Sequence, residues 1–183
     1  MKKSYPCFFL ILYLAIGIIS PFRPQEIAAQ TNASPTPVDY KLPYPGLLPD
    51  HPLYPIKKIR DKILYILNPS PIKKIELNLL FADKKIGMAE SLFEREKVEL
   101  GLETLREGQN DLIIAASQLP ILLKNNTLPV GLSDKIELAA KKHREILTNF
   151  SITQSDEIIQ KKIYEVIKLN DQATQIVSSL KEK

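Results

Sequence analysis

The sequence is short of the residues that most often carry chemistry. Its 183 residues include one cysteine, Cys7, two histidines, His51 and His143, and no tryptophan. A single cysteine excludes an intrachain disulfide framework and a cysteine-based zinc site. Two histidines exclude a triple-histidine metal centre. Six glycines are too few for a glycine-rich chain, and no phosphate-cradling glycine loop, Gly-x-Ser-x-Gly elbow or His-Glu-x-x-His motif occurs. No catalytic residue, metal or cofactor is therefore expected. What is abundant is ordinary for a globular chain: 44% hydrophobic residues and 25% charged ones.

The N-terminus reads as an address. Lys2 and Lys3 precede an apolar run of 13 residues from Cys7 to Ile19. Such a run spans about 20 Å as a helix, short of the roughly 30 Å hydrocarbon core of a bilayer. That is the form of a signal-peptide apolar region. Residues 1–29 are expected to be a signal peptide, with Ala28-Ala29 or Thr31-Asn32-Ala33 at the cleavage point, or an uncleaved anchor. Without Lys2, Lys3, Arg23 and Glu26 the formal charge falls from +4 to +2. That balance is no nucleic-acid footprint, and no aromatic residues interleave the lysines to stack bases.

Proline comes next. Seven of the fourteen prolines lie between Pro35 and Pro55. Residues 30–39 are small and polar, as in a flexible tether. Residues 40–55 are too apolar and aromatic for a linker. Proline restricts φ, so this stretch loses little entropy on ordering. An extended strap is expected, packed on the domain through Leu42, Tyr44, Leu47, Leu48 and Tyr54. Pro45-Gly46 suits a type II turn with Gly46 at positive φ. The other reading is a partner-recognition element made of Tyr40, Leu42, Tyr44, Gly46, Asp50, His51 and Tyr54. Asp50 and His51 lack a nearby nucleophile, and Asp50 reads as a favourable charge at the start of a helix.

Residues 56–183 have helical period. Ile56, Ile59, Ile63 and Ile66 form one seam, ended by Asn68-Pro69. A second runs from Ile72 to Phe93 and a third from Val98 to Leu119, where Pro120 stops it. Ser133 is the expected N-cap of a fourth helix bearing Ile136, Ala140, His143 and Leu147. Thr153 or Ser155 caps a fifth, with Ile163, Val166, Asn170, Ala173 and Val177. These spacings of three and four predict an all-α antiparallel bundle of four to five helices with an N-terminal Pro-rich extended strap. A hairpin turn is placed near Glu94 to Lys97, and a continuous bent helix is the alternative.

The stretch Leu42-Pro-Tyr-Pro-Gly-Leu-Leu-Pro-Asp-His-Pro-Leu-Tyr-Pro-Ile-Lys57, followed by Arg60-Asp61, resembles the signature of a bacterial domain-of-unknown-function family of secreted helical proteins. The similarity continues through Leu79, Ala82-Asp83-Lys84-Lys85 and Leu92-Phe93-Glu94, and more faintly to Lys142-His143 and Ile146-Leu147. In that family the first hairpin usually carries a Lys-Gly-Lys turn, where this chain has Arg95-Glu96-Lys97. The resemblance implies an extracytoplasmic, bacterial envelope location. It supplies no activity and no catalytic residues.

Three polar residues interrupt the apolar seams: Gln109, His143 and Asn170. Each lies near the middle of its helix, so the three are expected to meet as a buried polar layer. Such a layer specifies register, and each member needs a hydrogen bond. It could alternatively line a small-ligand site. One histidine with two amides lacks the anionic ligands of a metal centre. Lysine pairs recur at 57-58, 73-74, 84-85, 141-142 and 161-162, with acids beside them, as on a solvated mixed-charge surface. The second reading of these pairs is weak contact with anionic envelope polymers or lipid headgroups.

The function expected is that of an exported envelope protein, a non-enzymatic binding or scaffolding module. Its partner would be an envelope protein or polymer. Membrane contact is expected only through an uncleaved N-terminal segment. The alternatives are a small-ligand sensor or enzyme using the polar layer, and a holdase-like periplasmic chaperone.

Overall fold

Residues 37–181 are described by a computed structural model. The expected signal peptide or anchor, Cys7 and most of the expected tether lie outside the described residues. Five helices follow the strap: α1 (Tyr54–Leu67), α2 (Pro71–Glu94), α3 (Val98–Lys124), α4 (Leu132–Thr153) and α5 (Glu157–Ser178). No strand occurs among the described residues. The described residues are all-α, as the spacing predicts.

Local chemistry sets the ends of these helices. Ser70 caps α2 by accepting from the Lys73 amide, and Pro71 takes the first helical position, where a missing N–H costs nothing. The expected turn at 94–97 is present. There the Lys97 amide donates to the Leu92 carbonyl, and Glu96 adopts φ 59°, a Schellman ending. The same arrangement ends α3, with Asn126 at φ 54° and the Thr127 amide on the Leu122 carbonyl. Three expected boundaries are corrected. Pro120 lies inside α3, which runs on to Lys124 because Leu122 beyond it is still buried in the core. Gly131 at φ 80°, not Ser133, precedes α4. Asp156, not Thr153 or Ser155, caps α5, and its carboxylate accepts from the Ile158 and Ile159 amides.

α2 and α3 form one antiparallel hairpin, α4 and α5 another. The two hairpins meet mainly where α5 packs on α3. Gly108 of α3 lets the first pair approach closely: a Cβ there would lie 3.1 Å from Lys85 Cβ and 3.3 Å from the Ala82 carbonyl. α2 and α4 touch at few positions, and the strap fills the seam between them. Tyr40 packs against one apolar cluster and Leu42 against the other, Pro45 lies on Gly87, and Val38 bonds to Glu145. Gly46 has φ 77°, as expected. Leu48 and Tyr54 close over Met88, but Tyr44 and Leu47 are exposed and do not anchor the strap.

Two apolar clusters make the core. One holds Ile75, Leu79, Leu112, Leu119, Ile136 and Val177; the other holds Ile86, Leu105, Leu147, Ile163 and Val166. α1 belongs to neither. Its seam of Ile56, Ile59, Ile63 and Ile66 was expected to face the core. These residues are instead 63%, 60%, 49% and 63% exposed. α1 rests on the α2–α3 pair through its polar and aromatic side.

Candidate functional site

Between the two apolar clusters lies the polar layer. The structure brings Gln109, His143 and Asn170 together, each at most 1% exposed. Asn170 Nδ2 donates to Gln109 Oε1 at 3.1 Å and to the Ala140 carbonyl at 3.1 Å. Gln109 Nε2 lies 3.4 Å from His143 Nδ1. His143 Nε2 lies 2.9 Å from Asp83 Oδ1, and Tyr40 donates its hydroxyl to Asp83 Oδ2 at 2.6 Å. With the imidazole proton on Nε2, every contact in this chain pairs one donor with one acceptor. Burial and the Asp83 carboxylate hold the Tyr40 phenol well above its ordinary range. The layer thus joins α2, α3, α4, α5 and the strap. Asp83 is the member that periodicity does not identify; it flanks the seam defined by Ala82 and Ile86.

The remaining strap residues have other tasks. Asp50 does not act on the α1 terminus. It is held by Lys97 at 2.8 Å and Arg95 at 3.3 Å, and these cations keep its carboxyl below the usual range. His51 Nδ1 accepts from the Leu53 amide at 3.1 Å, supporting the first turn of α1. Tyr54 is buried against Met88, and burial with nearby acids pushes its phenol up to about 12. Leu42 is half-buried, Gly46 turns the strap, and Tyr44 points to solvent at 83% exposure.

α1 was the site feature hidden from pattern reading. Its outward face carries Ile56, Ile59, Ile63, Ile66 and Leu67, all exposed. Exposed Lys58, Arg60 and Lys62 flank it, while Lys57 and the single acid of the helix, Asp61, lie on the bundle side. Asp61 turns toward the bundle and pairs with Lys57 at 3.2 Å. Burial pushes its carboxyl up, but Arg60 and Lys57 overcome this and hold it below the usual range. No helix of the described residues is long and apolar enough to cross a membrane. Among the same residues, no group of three or more His, Cys, Asp or Glu side chains is gathered to hold a metal ion.

A family model for a domain of unknown function, DUF5667, matches residues 46–182. The chain belongs to this family. No curated protein and no solved structure matches it. The DUF5667 match contains α1, all four bundle helices and four of the five residues of the polar layer. Tyr40, the fifth, precedes it. The lysine pairs of the domain are mostly ion-paired across or along helices: Lys73 with Glu76, Lys85 with Asp111, Lys142 with Glu145 and Lys162 with Glu99. That is the mixed-charge surface expected of them. On α1 Lys57 and Arg60 pair with Asp61 and Lys58 with Glu107, and Lys58, Arg60 and Lys62 also border the exposed apolar face.

Proposed function

We propose that this DUF5667 protein is an exported, non-enzymatic docking module of the bacterial envelope. It lies on an anionic membrane surface through the outward face of α1. The observation that carries this reading is the orientation of α1, whose aliphatic stripe faces solvent between two basic borders. A basic amphipathic helix with an unburied apolar face lies in the plane of a bilayer interface, its aliphatics among the acyl chains and its cations at anionic headgroups. A second copy of the chain is a poorer occupant, since pairing two such faces would set Lys58, Arg60 and Lys62 against their own like. The reading widens the expectation that only the N-terminal segment meets the membrane. It gives the polar layer a structural task, because that layer's hydrogen bonds are made among its own members and to the Ala140 carbonyl.

The test is a full-length chain carrying Cys7→Ser and Ile63→Cys, labelled at residue 63 with a polarity-sensitive fluorophore. Vesicles containing phosphatidylglycerol are expected to shift its emission to the blue. Pure phosphatidylcholine should shift it less, and added salt should reverse the effect. The same label at Tyr164→Cys, an exposed position of α5, should not respond. An unresponsive residue 63, or equal responses at 63 and 164, would sink the proposal.

A further inference from the structure

Beneath α1 lies a cleft that neither the polar layer nor the outward face of the helix uses. Its volume is about 300 Å³, at the lower end of the range of small-molecule sites. α1 contributes Tyr54 and Tyr65, α2 contributes Asn78 and Phe81, and α3 contributes Asp111 and Ile114. Exposed Lys58 and Lys62 stand at the rim.

Asn78 decides what the cleft can hold. The residue is 5% exposed, and its Nδ2 has no hydrogen-bond partner. A buried amide donor left unpaired is destabilising, and any acceptor that reaches it relieves the loss. Asp111 supplies the opposite capacity. Its Oδ2 is held by Lys85 Nζ at 2.8 Å, and its remaining lone pairs are free to accept a further hydrogen bond. The two residues stand at one level of the fold, because the α2–α3 approach sets Ala82 beside Gly108 one turn away. Burial, more than the opposing pull of Lys85, pushes the Asp111 carboxyl up, so its charge is poorly solvated.

A hydroxyl accepts one hydrogen bond and donates another, and so meets both needs at once. A carboxylate would accept from Asn78 and gain from the lining lysines, but it brings no proton for Asp111 and sets a second anion beside it. An ammonium would satisfy Asp111 and gain from Asp61, but it would leave Asn78 unpaired and face Lys57, Lys58, Lys62 and Lys85. The aromatic and aliphatic walls fit an apolar body. We infer that the cleft between α1 and the α2–α3 pair binds an uncharged, hydroxyl-headed ligand with a short alkyl or aryl body. Its hydroxyl accepts from Asn78 Nδ2 and donates to Asp111. The site uses the inner side of α1 and does not depend on what its outer side meets.

Three probes of equal chain length test this on the full-length ¹⁵N-labelled chain: 1-octanol, octanoate and octylamine at neutral pH. The readout is the side-chain amide pair of Asn78, identified by its loss in Asn78→Asp. Octanol should move this pair and bind more tightly than either charged probe. Asn78→Leu should weaken octanol about tenfold, the worth of one hydrogen bond. Ile59→Glu, on the outer face, should leave octanol binding unchanged while abolishing vesicle docking. The inference is overturned if the Asn78 pair does not move, or if either charged probe binds as tightly as octanol. It is also overturned if octanol's shifts fall only on Ile56, Ile59 and Ile63. The ranking of the three heads is read on the unsubstituted chain, so it survives a misfolded variant.

Discussion

Glu96 occupies a left-handed position that glycine fills without strain. Its φ of 59° closes the α2–α3 turn, at the centre of the triplet Arg95-Glu96-Lys97. A side chain there costs about 1–2 kcal/mol, partly offset by the greater unfolded freedom of glycine. Glu96→Gly should therefore stabilise the chain by roughly 0.5 kcal/mol, seen as a raised urea midpoint with unchanged slope. A lowered midpoint would mean that the glutamate side chain contributes something the backbone does not reveal. The polar layer shows the limit of reading single residues. Gln109, His143 and Asn170 were legible because each breaks an apolar seam at core spacing. Asp83 was not, because it sits one position beside its seam among lysines, and its partners are 43 and 60 residues away. Periodicity identifies a polar residue in an apolar row, but it carries no signal for one beside the row.

Elements fail and succeed in the same way. The stripe of α1 was correctly found and wrongly turned. Helical period shows that one side of a helix is apolar; it does not say whether that side meets the core or the outside. The deciding facts were the aromatic and charged residues opposite the stripe, Tyr54, Asp61 and Tyr65, which line the bundle side. The strap was better specified, since proline and Gly46 restrict its backbone. Two carboxylates tie it down: Asp50 to Lys97 and Arg95, and Glu145, which accepts from Lys142 and the Val38 amide. Both are held below the usual carboxylate range by these partners. A carboxyl lowered on folding stabilises the fold above its unfolded pKa of about 4 and loses that contribution as pH falls through the lower folded value. The strap should stay protected at neutral pH and loosen below about pH 4. Protection of the Val38 amide against exchange, relative to its intrinsic rate at each pH, should then fall before that of Leu79 or Leu112 in the core. An equal loss of protection at all three would show that the strap has no separate acid-labile ties.

At the scale of the whole molecule the strap is a substitute for a helix. Four helices in a closed bundle would press α2 against α4, but here those two touch at few positions and the strap lies between them. Tyr40 completes the polar layer, Leu42 packs on the second apolar cluster, and Leu48 covers Met88 with Tyr54. Removing these three side chains should uncover the α2–α4 seam and leave Asp83 short of one donor. Half-buried Tyr40 and Leu42 and buried Leu48 together account for about 4 kcal/mol of burial. The whole stability of a domain is about 5–15 kcal/mol. Replacing all three by serine should therefore lower the urea midpoint sharply and expose apolar surface to a dye, even though every helix keeps its own sequence. An unchanged midpoint would mean that the bundle closes without the strap. The residues from Tyr40 to Tyr54 would then be free to serve as the partner-recognition element that their aromatic composition also allows.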